Sequence, residues 1–143
     1  MKLMRVPLIT LLAISSMGIG CPKDPYRAAI KGSDDVSNGV HSAVVAIGKL
    51  YSQGVADDNY KAGASFYLNV ITDCNMGFRK SVVDAHKSGA IGAQSYLPLA
   101  DAFVSCGRRV VPPKGPGQNY LQAVDTSINA IELAVASSKG GKP

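Results

Sequence analysis

Apolar residues recur along much of this chain at steps of three and four, the spacing of an α-helix that buries one face. Four such stripes stand out. The first is Val36, Val40, Ala43, Ile47 and Leu50. Asp24-Pro25 can open its helix, and Gly32-Ser33-Asp34 can restart it; acidic Asp34 and Asp35 suit a first turn, and Gly54 suits a stop. The second stripe is Tyr60, Ala64, Tyr67, Ile71, Cys74, Phe78, Val82 and Ala85, with Asp57 or Asp58 as cap and Gly89 as terminator. The third is Leu99, Phe103, Cys106 and Val110, with Pro98 in the first turn and Pro112-Pro113 as the stop. The fourth is Leu121, Val124, Ile128, Ile131 and Val135; Asn119 and Gln122 suit a capping box, and Gly140-Gly141 closes the run. No stretch alternates at strand period.

Each stripe must bury itself against another. Four of them, joined by mostly short links, predict an all-α, up-down-up-down four-helix bundle. The longer link is VPPKGPGQ, from Val111 to Gln118. The chain has no Trp and few Phe, so Ala, Val, Ile and Leu carry the core, which suits closely packed helices. Gly39, Gly48, Gly63 and Gly77 fall inside predicted helices, where each costs ~1 kcal/mol relative to Ala. Close helix approach is one reason to keep them. A bundle that loosens to act is another.

The N-terminus has a different pattern. Lys2 and Arg5 precede an apolar run from Val6 to Ile14, small residues follow, and then Cys21. The run is shorter than the ~20 apolar residues of a membrane span. A charged start, a short apolar middle and small residues before a cut are the order of an export signal. Gly18-Ile19-Gly20-Cys21 resembles the bacterial lipobox: Gly20 and Cys21 match it, and Gly18 stands where Leu is usual. The resemblance implies cleavage before Cys21 and an acyl anchor on its sulfur. The alternatives are ordinary cleavage near Gly20, giving a soluble periplasmic or secreted protein, or an uncleaved anchor. The organisation expected is a signal peptide over 1–20, a tether over 21–32, a helical bundle over 33–138 and a disordered tail over 139–143.

The chain carries a formal charge of +5, which falls to +3 when Lys2 and Arg5 leave with the signal. That is too weak and too dispersed to argue for nucleic acid. Three cysteines in an exported chain imply one with a separate fate, and acylation of Cys21 leaves Cys74 and Cys106 as a pair. The Gly89–Gly92 turn lies midway between them, so in an antiparallel hairpin they stand at one height. A disulfide is expected there. No C-x-x-C and no Cys/His cluster points to zinc or haem, and no metal or other cofactor is expected. His41 and His86 lie off the stripes, as surface histidines do. Asp73, Asp84 and Asp101 are scattered, and Glu132 is the only glutamate, which argues against a carboxylate-rich metal bundle. No G-x-S-x-G or phosphate-cradling glycine loop is present.

Topology collects one constellation. The end where the first helix finishes also receives the start of the second, the end of the third and the start of the fourth. Tyr51, Tyr60, Arg108, Arg109, Lys114 and Tyr120 gather there, and Tyr and Arg are the residues that most often dominate protein–protein contacts. Lys23, Arg27, Lys31, Lys80 and Lys87 gather at the opposite, anchored end, where they favour an anionic lipid surface. The expected function is therefore a small envelope lipoprotein, facing the periplasm, that binds another envelope protein as inhibitor, immunity, exclusion or assembly factor. A small-ligand or metal-binding bundle using its core or His41 and His86 is the first alternative, and an envelope hydrolase without a recognisable motif is the second.

Overall fold

Asp24 opens the first helix. Its carboxylate accepts a hydrogen bond from the Tyr26 backbone N–H at 2.9 Å, and Pro25 takes the first helical position, where its missing donor is not needed. A computed structural model describes residues 24–138, and among these lie four helices: α1 (Pro25–Ser52), α2 (Asp58–Lys87), α3 (Ala93–Gly107) and α4 (Gln118–Ser137). Each packs on the next in sequence and α4 returns to α1, which makes the all-α, up-down-up-down bundle. The expected signal peptide over 1–20, Cys21 and the expected tail over 139–143 lie outside the described residues.

Three boundaries differ from the sequence expectation. The helix starts at Pro25 and runs unbroken through Gly32-Ser33-Asp34, so residues 25–32 belong to the bundle rather than to a tether. Ala28, Ala29 and Gly32 are buried there, and that burial offsets the poor helix propensity of Gly32 and Ser33. The third helix starts at Ala93, which puts Pro98 inside it. Pro98 is exposed, and the Gln94 carbonyl it leaves without a helical donor belongs to an exposed residue that water can serve. The earlier start also turns the buried face to Tyr96, Ala100, Phe103, Val104 and Gly107; Leu99 and Cys106 flank it, and Val110 lies beyond the helix. The Tyr96 hydroxyl fixes this turn by donating to the Ala90 carbonyl at 2.8 Å. Finally, α4 has Gly117 as its N-cap, at φ +84°, in place of a capping box at Asn119 and Gln122.

The second helix is as its pattern predicts. Asp57 accepts from the Tyr60 N–H at 2.7 Å, Asp58 fills the first turn, and Gly89 at φ +88° follows the last. Of its stripe, only Ala85 is less than fully buried. The fourth stripe is buried throughout.

Close approach explains some of the helical glycines. An added Cβ would stand 2.6 Å from Ile131 Cγ1 at Gly32 and 3.3 Å from Val124 Cγ2 at Gly39. These two contacts, two turns apart on both helices, set α1 antiparallel to α4. At Gly48 and Gly77 an added Cβ meets nothing within 4 Å.

Two further links hold α2 in place. Cys74 and Cys106 form the expected disulfide, their Cα atoms 5.8 Å apart, joining α2 to α3, and Phe78 stacks on Phe103 beside it at 4.9 Å between ring centres. On the α1 side, buried Asn75 accepts from the Ser33 hydroxyl at 2.9 Å and donates to the Ser33 carbonyl at 3.1 Å and to the Ser37 hydroxyl at 3.0 Å. Arg79 reaches across to Asp34 just outside this pair. A buried polar pair with its bonds satisfied disfavours any other register of α1 on α2.

Candidate functional site

The unequal lengths of the helices shape the site. At 1.5 Å per residue, the 30 residues of α2 span about 45 Å and the 15 of α3 about half that. The last residue of α3, Gly107, rests against Ile71 and Ile128, which lie near the middles of α2 and α4. Above that level, among the described residues, no helix fills the slot between α2 and α4.

The link from Arg108 to Gly117 fills it. Val110 packs on the core just past the helix. Farther up, Pro113 lies on Gly63 of α2, where an added Cβ would meet its ring at 3.6 Å. Gly115 lies on the ring of Tyr60, and Gly117 on Leu50 at the end of α1. The link is thus a strap that climbs half the bundle and closes its upper end, where α1 finishes and α2 begins. Pro112, Pro113 and Pro116 restrict its backbone, and its glycines allow close approach, Gly115 to α2 and Gly117 to α1.

The six residues expected to form a partner-binding face divide into three groups. Tyr51 and Tyr120 stand at the upper end, 38% and 40% exposed, and Lys114 is exposed on the strap. Tyr60 is buried under Gly115 and supports the strap from beneath, so it is not available to a partner. Arg108 and Arg109 are exposed but sit where α3 stops, half a bundle lower, and not at the upper end. The cause is the short third helix: equal rods would have carried both arginines to the top.

Electrostatics organise each group. The Tyr51 hydroxyl donates to Asp58 at 2.8 Å, and this bond, with the carboxylate's charge, raises its pKa above the usual tyrosine value. The Lys61 ammonium stands 3.8 Å over the same ring, a cation–π contact. Tyr51 is thereby held in one orientation although exposed. Lower down, Glu132 of α4 has its carboxyl pKa raised by a hydrogen bond with Asp101 of α3 and by partial burial, against the opposing pull of Arg108. Arg108 therefore faces an acidic neighbour.

Two exposed apolar residues add to the picture. Phe66 is 64% exposed one turn beyond Gly63, and Val111 is 83% exposed on the strap. Phe66 is legible in the sequence as a large aromatic off the α2 stripe. Val111 is not, because its exposure depends on where α3 ends.

The other candidate residues do not converge. His41 is exposed midway along α1, whereas His86 stacks on Tyr26 at the lower end, 3.8 Å between ring centres. Asp73 borders a groove of about 260 Å³ beside the disulfide, lined also by Gly77, Leu99 and Phe103. Asp84 pairs with Lys80 at 2.7 Å. Among the described residues no group of three or more His, Cys, Asp or Glu could hold a metal ion, and no helix is long and apolar enough to cross a membrane. At the lower end Arg27 and Lys87 are exposed and Lys31 bridges to Asp35 at 2.9 Å, while Lys23 lies outside the described residues.

No family model, curated protein or solved structure matches the chain.

Proposed function

We propose that this chain is a small exported lipoprotein of the bacterial envelope that binds a protein through the upper end of its bundle. The observation that carries the reading is the strap. Pro113 on Gly63 and Gly115 on Tyr60 hold it against the core, and near the upper end it presents Lys114 to solvent. Tyr51, fixed by Asp58 and Lys61, and Tyr120 stand at the same end. Preorganised aromatic and cationic side chains lose little freedom on docking and suit a protein partner. An inhibitor, immunity, exclusion or assembly role fits such a body, with an acyl group on Cys21 as the anchor and the periplasm as the setting.

The test is capture from envelope extracts. The native protein is expected to retain a partner that the combined Tyr51→Ala, Lys114→Glu and Tyr120→Ala variant loses. Arg108→Glu with Arg109→Glu, half a bundle lower, is expected to weaken capture less. Equal capture by the first variant rejects the upper-end surface, and intact mass of the native material reports the modification at Cys21.

A further inference from the structure

At the opposite end the bundle closes on a small apolar tip. The α2–α3 turn presents Ile91, 70% exposed. Two hydrogen bonds hold the turn. The Ala90 N–H donates to the Ala85 carbonyl at 3.0 Å, its carbonyl accepts from the Tyr96 hydroxyl at 2.8 Å, and Tyr96 is fully buried. The first residues of α1 dock against the same tip: Tyr26 stacks on His86, and Asp24, His86, Gly89, Ala90 and Ile91 line one cavity of about 260 Å³. The place where the described chain begins is therefore next to Ile91. Cys21 lies three residues before Asp24 in the sequence, a reach of about 10 Å at full extension. The antiparallel pairing of α1 with α4, fixed at Gly32 against Ile131, brings the end of α4 to this level too.

Two cations flank the tip. Arg27 and Lys87 are exposed on the adjoining turns. Of the nearby acids, Asp24 caps α1 and Asp84 pairs with Lys80.

We infer that this end is a membrane-contacting foot: Ile91 enters the interfacial zone of an anionic bilayer while Arg27 and Lys87 lie against its headgroups. The inference rests on the lipoprotein reading, because an acyl chain on Cys21 brings the foot within reach of the bilayer. It goes beyond that reading by giving the bundle one orientation, with α1 and α4 rising from the membrane and the strap facing away. An acyl chain alone would leave the bundle free to lean on any face. A rigid apolar tip flanked by two cations gives this face an attachment to an anionic surface beyond the lipid itself.

The experiment uses the acylated protein in vesicles, with the Cys74–Cys106 bond left intact. Ile91→Cys carries an environment-sensitive fluorophore, and Val55→Cys, near the upper end, carries the same label as the control. Both positions are exposed, so neither substitution disturbs the core. In vesicles containing phosphatidylglycerol, the label at position 91 is expected to shift its emission to the blue and to be quenched by lipids spin-labelled near the headgroup. The label at position 55 is expected to do neither. Arg27→Glu with Lys87→Glu, or purely zwitterionic vesicles, should reduce quenching at position 91. Acylated protein with no quenching at position 91, or with equal quenching at both positions, overturns the foot and leaves the lipoprotein reading intact. Native protein with an unmodified Cys21 overturns both.

Discussion

Gly115 lies so near the face of Tyr60 that a Cβ at this position would stand 2.5 Å from the ring's Cδ2 atom. The ring is buried and cannot swing aside, so the strap must lift if the glycine acquires a side chain. Gly115→Ala is expected to lower stability by about 1–3 kcal/mol, the usual cost of overpacking a filled site. It should also speed tryptic cleavage after Lys114, which the strap otherwise holds against the bundle. Urea unfolding and limited proteolysis read the two effects. Gly115→Ala in a Tyr60→Leu background should recover part of the loss, and unchanged proteolysis would show that the strap does not depend on this contact.

The Cys74–Cys106 bond closes a loop with a sequence separation of 32. In the chain-entropy account a loop of that size contributes about 3–4 kcal/mol by restricting the unfolded chain. Cys74→Ala with Cys106→Ala is expected to lose about that much in denaturant unfolding. Folded protein should resist alkylation at both positions until a reductant is added. Ready labelling of Cys74 and Cys106 without reductant would contradict the bond.

The helical glycines make opposite predictions. At Gly48 and Gly77 an added Cβ meets nothing within 4 Å, so alanine there is expected to raise stability by about 0.5–1 kcal/mol through helix propensity alone. Gly32→Ala must push Ile131 aside from 2.6 Å and is expected to destabilise by about 1–3 kcal/mol. Thermal or urea unfolding of the single variants decides it. A loss at Gly77 would mean that the α2–α3 groove closes more tightly than the free chain shows.

These glycines also show how far the sequence alone carries. Stripes at helical period locate α2 and α4 well, because their core residues fall on a continuous face, and the ends of α2 carry strong signals, Asp57 and Gly89. The disulfide was legible from the position of the turn between its cysteines. The start of α1 was ambiguous because Gly32-Ser33-Asp34 reads as a break; only the burial of Gly32 under Ile131 and the Ser33–Asn75 bonds make it helical. The role of Asn75 was not legible, since its hydrogen-bond partners come from another helix. The height at which α3 ends was not legible. Its period is clear, but local residues do not reveal that Gly107 stops against the middles of α2 and α4. That one length separates Arg108 and Arg109 from Tyr51 and Tyr120.

Tyr67 gives the pH prediction. Its side chain is buried between α2 and the rest of the core, and its hydroxyl finds no protein partner among the described residues. Burial, and secondarily the negative charge of Asp125, pushes its pKa up to about 12. An unfolded chain ionises its tyrosines near pH 10. The folded state therefore holds a neutral phenol where the unfolded state has begun to lose its proton. The sign follows: the stabilisation is fully present below about pH 10 and is lost as the pH climbs toward about 12, amounting to roughly 2–3 kcal/mol over that window. Buried Tyr60 is shifted in the same direction and adds to the slope. Tyr67→Phe removes the titrating group, so its urea midpoint should fall less steeply than that of the native protein between pH 10 and pH 12. At neutral pH the same variant is expected to be as stable as the native protein or more so, since an unpartnered buried hydroxyl costs about 1–3 kcal/mol. A clear loss at neutral pH would instead reveal a hydrogen bond to Tyr67, through an ordered water or through Asp125, that stabilises the core.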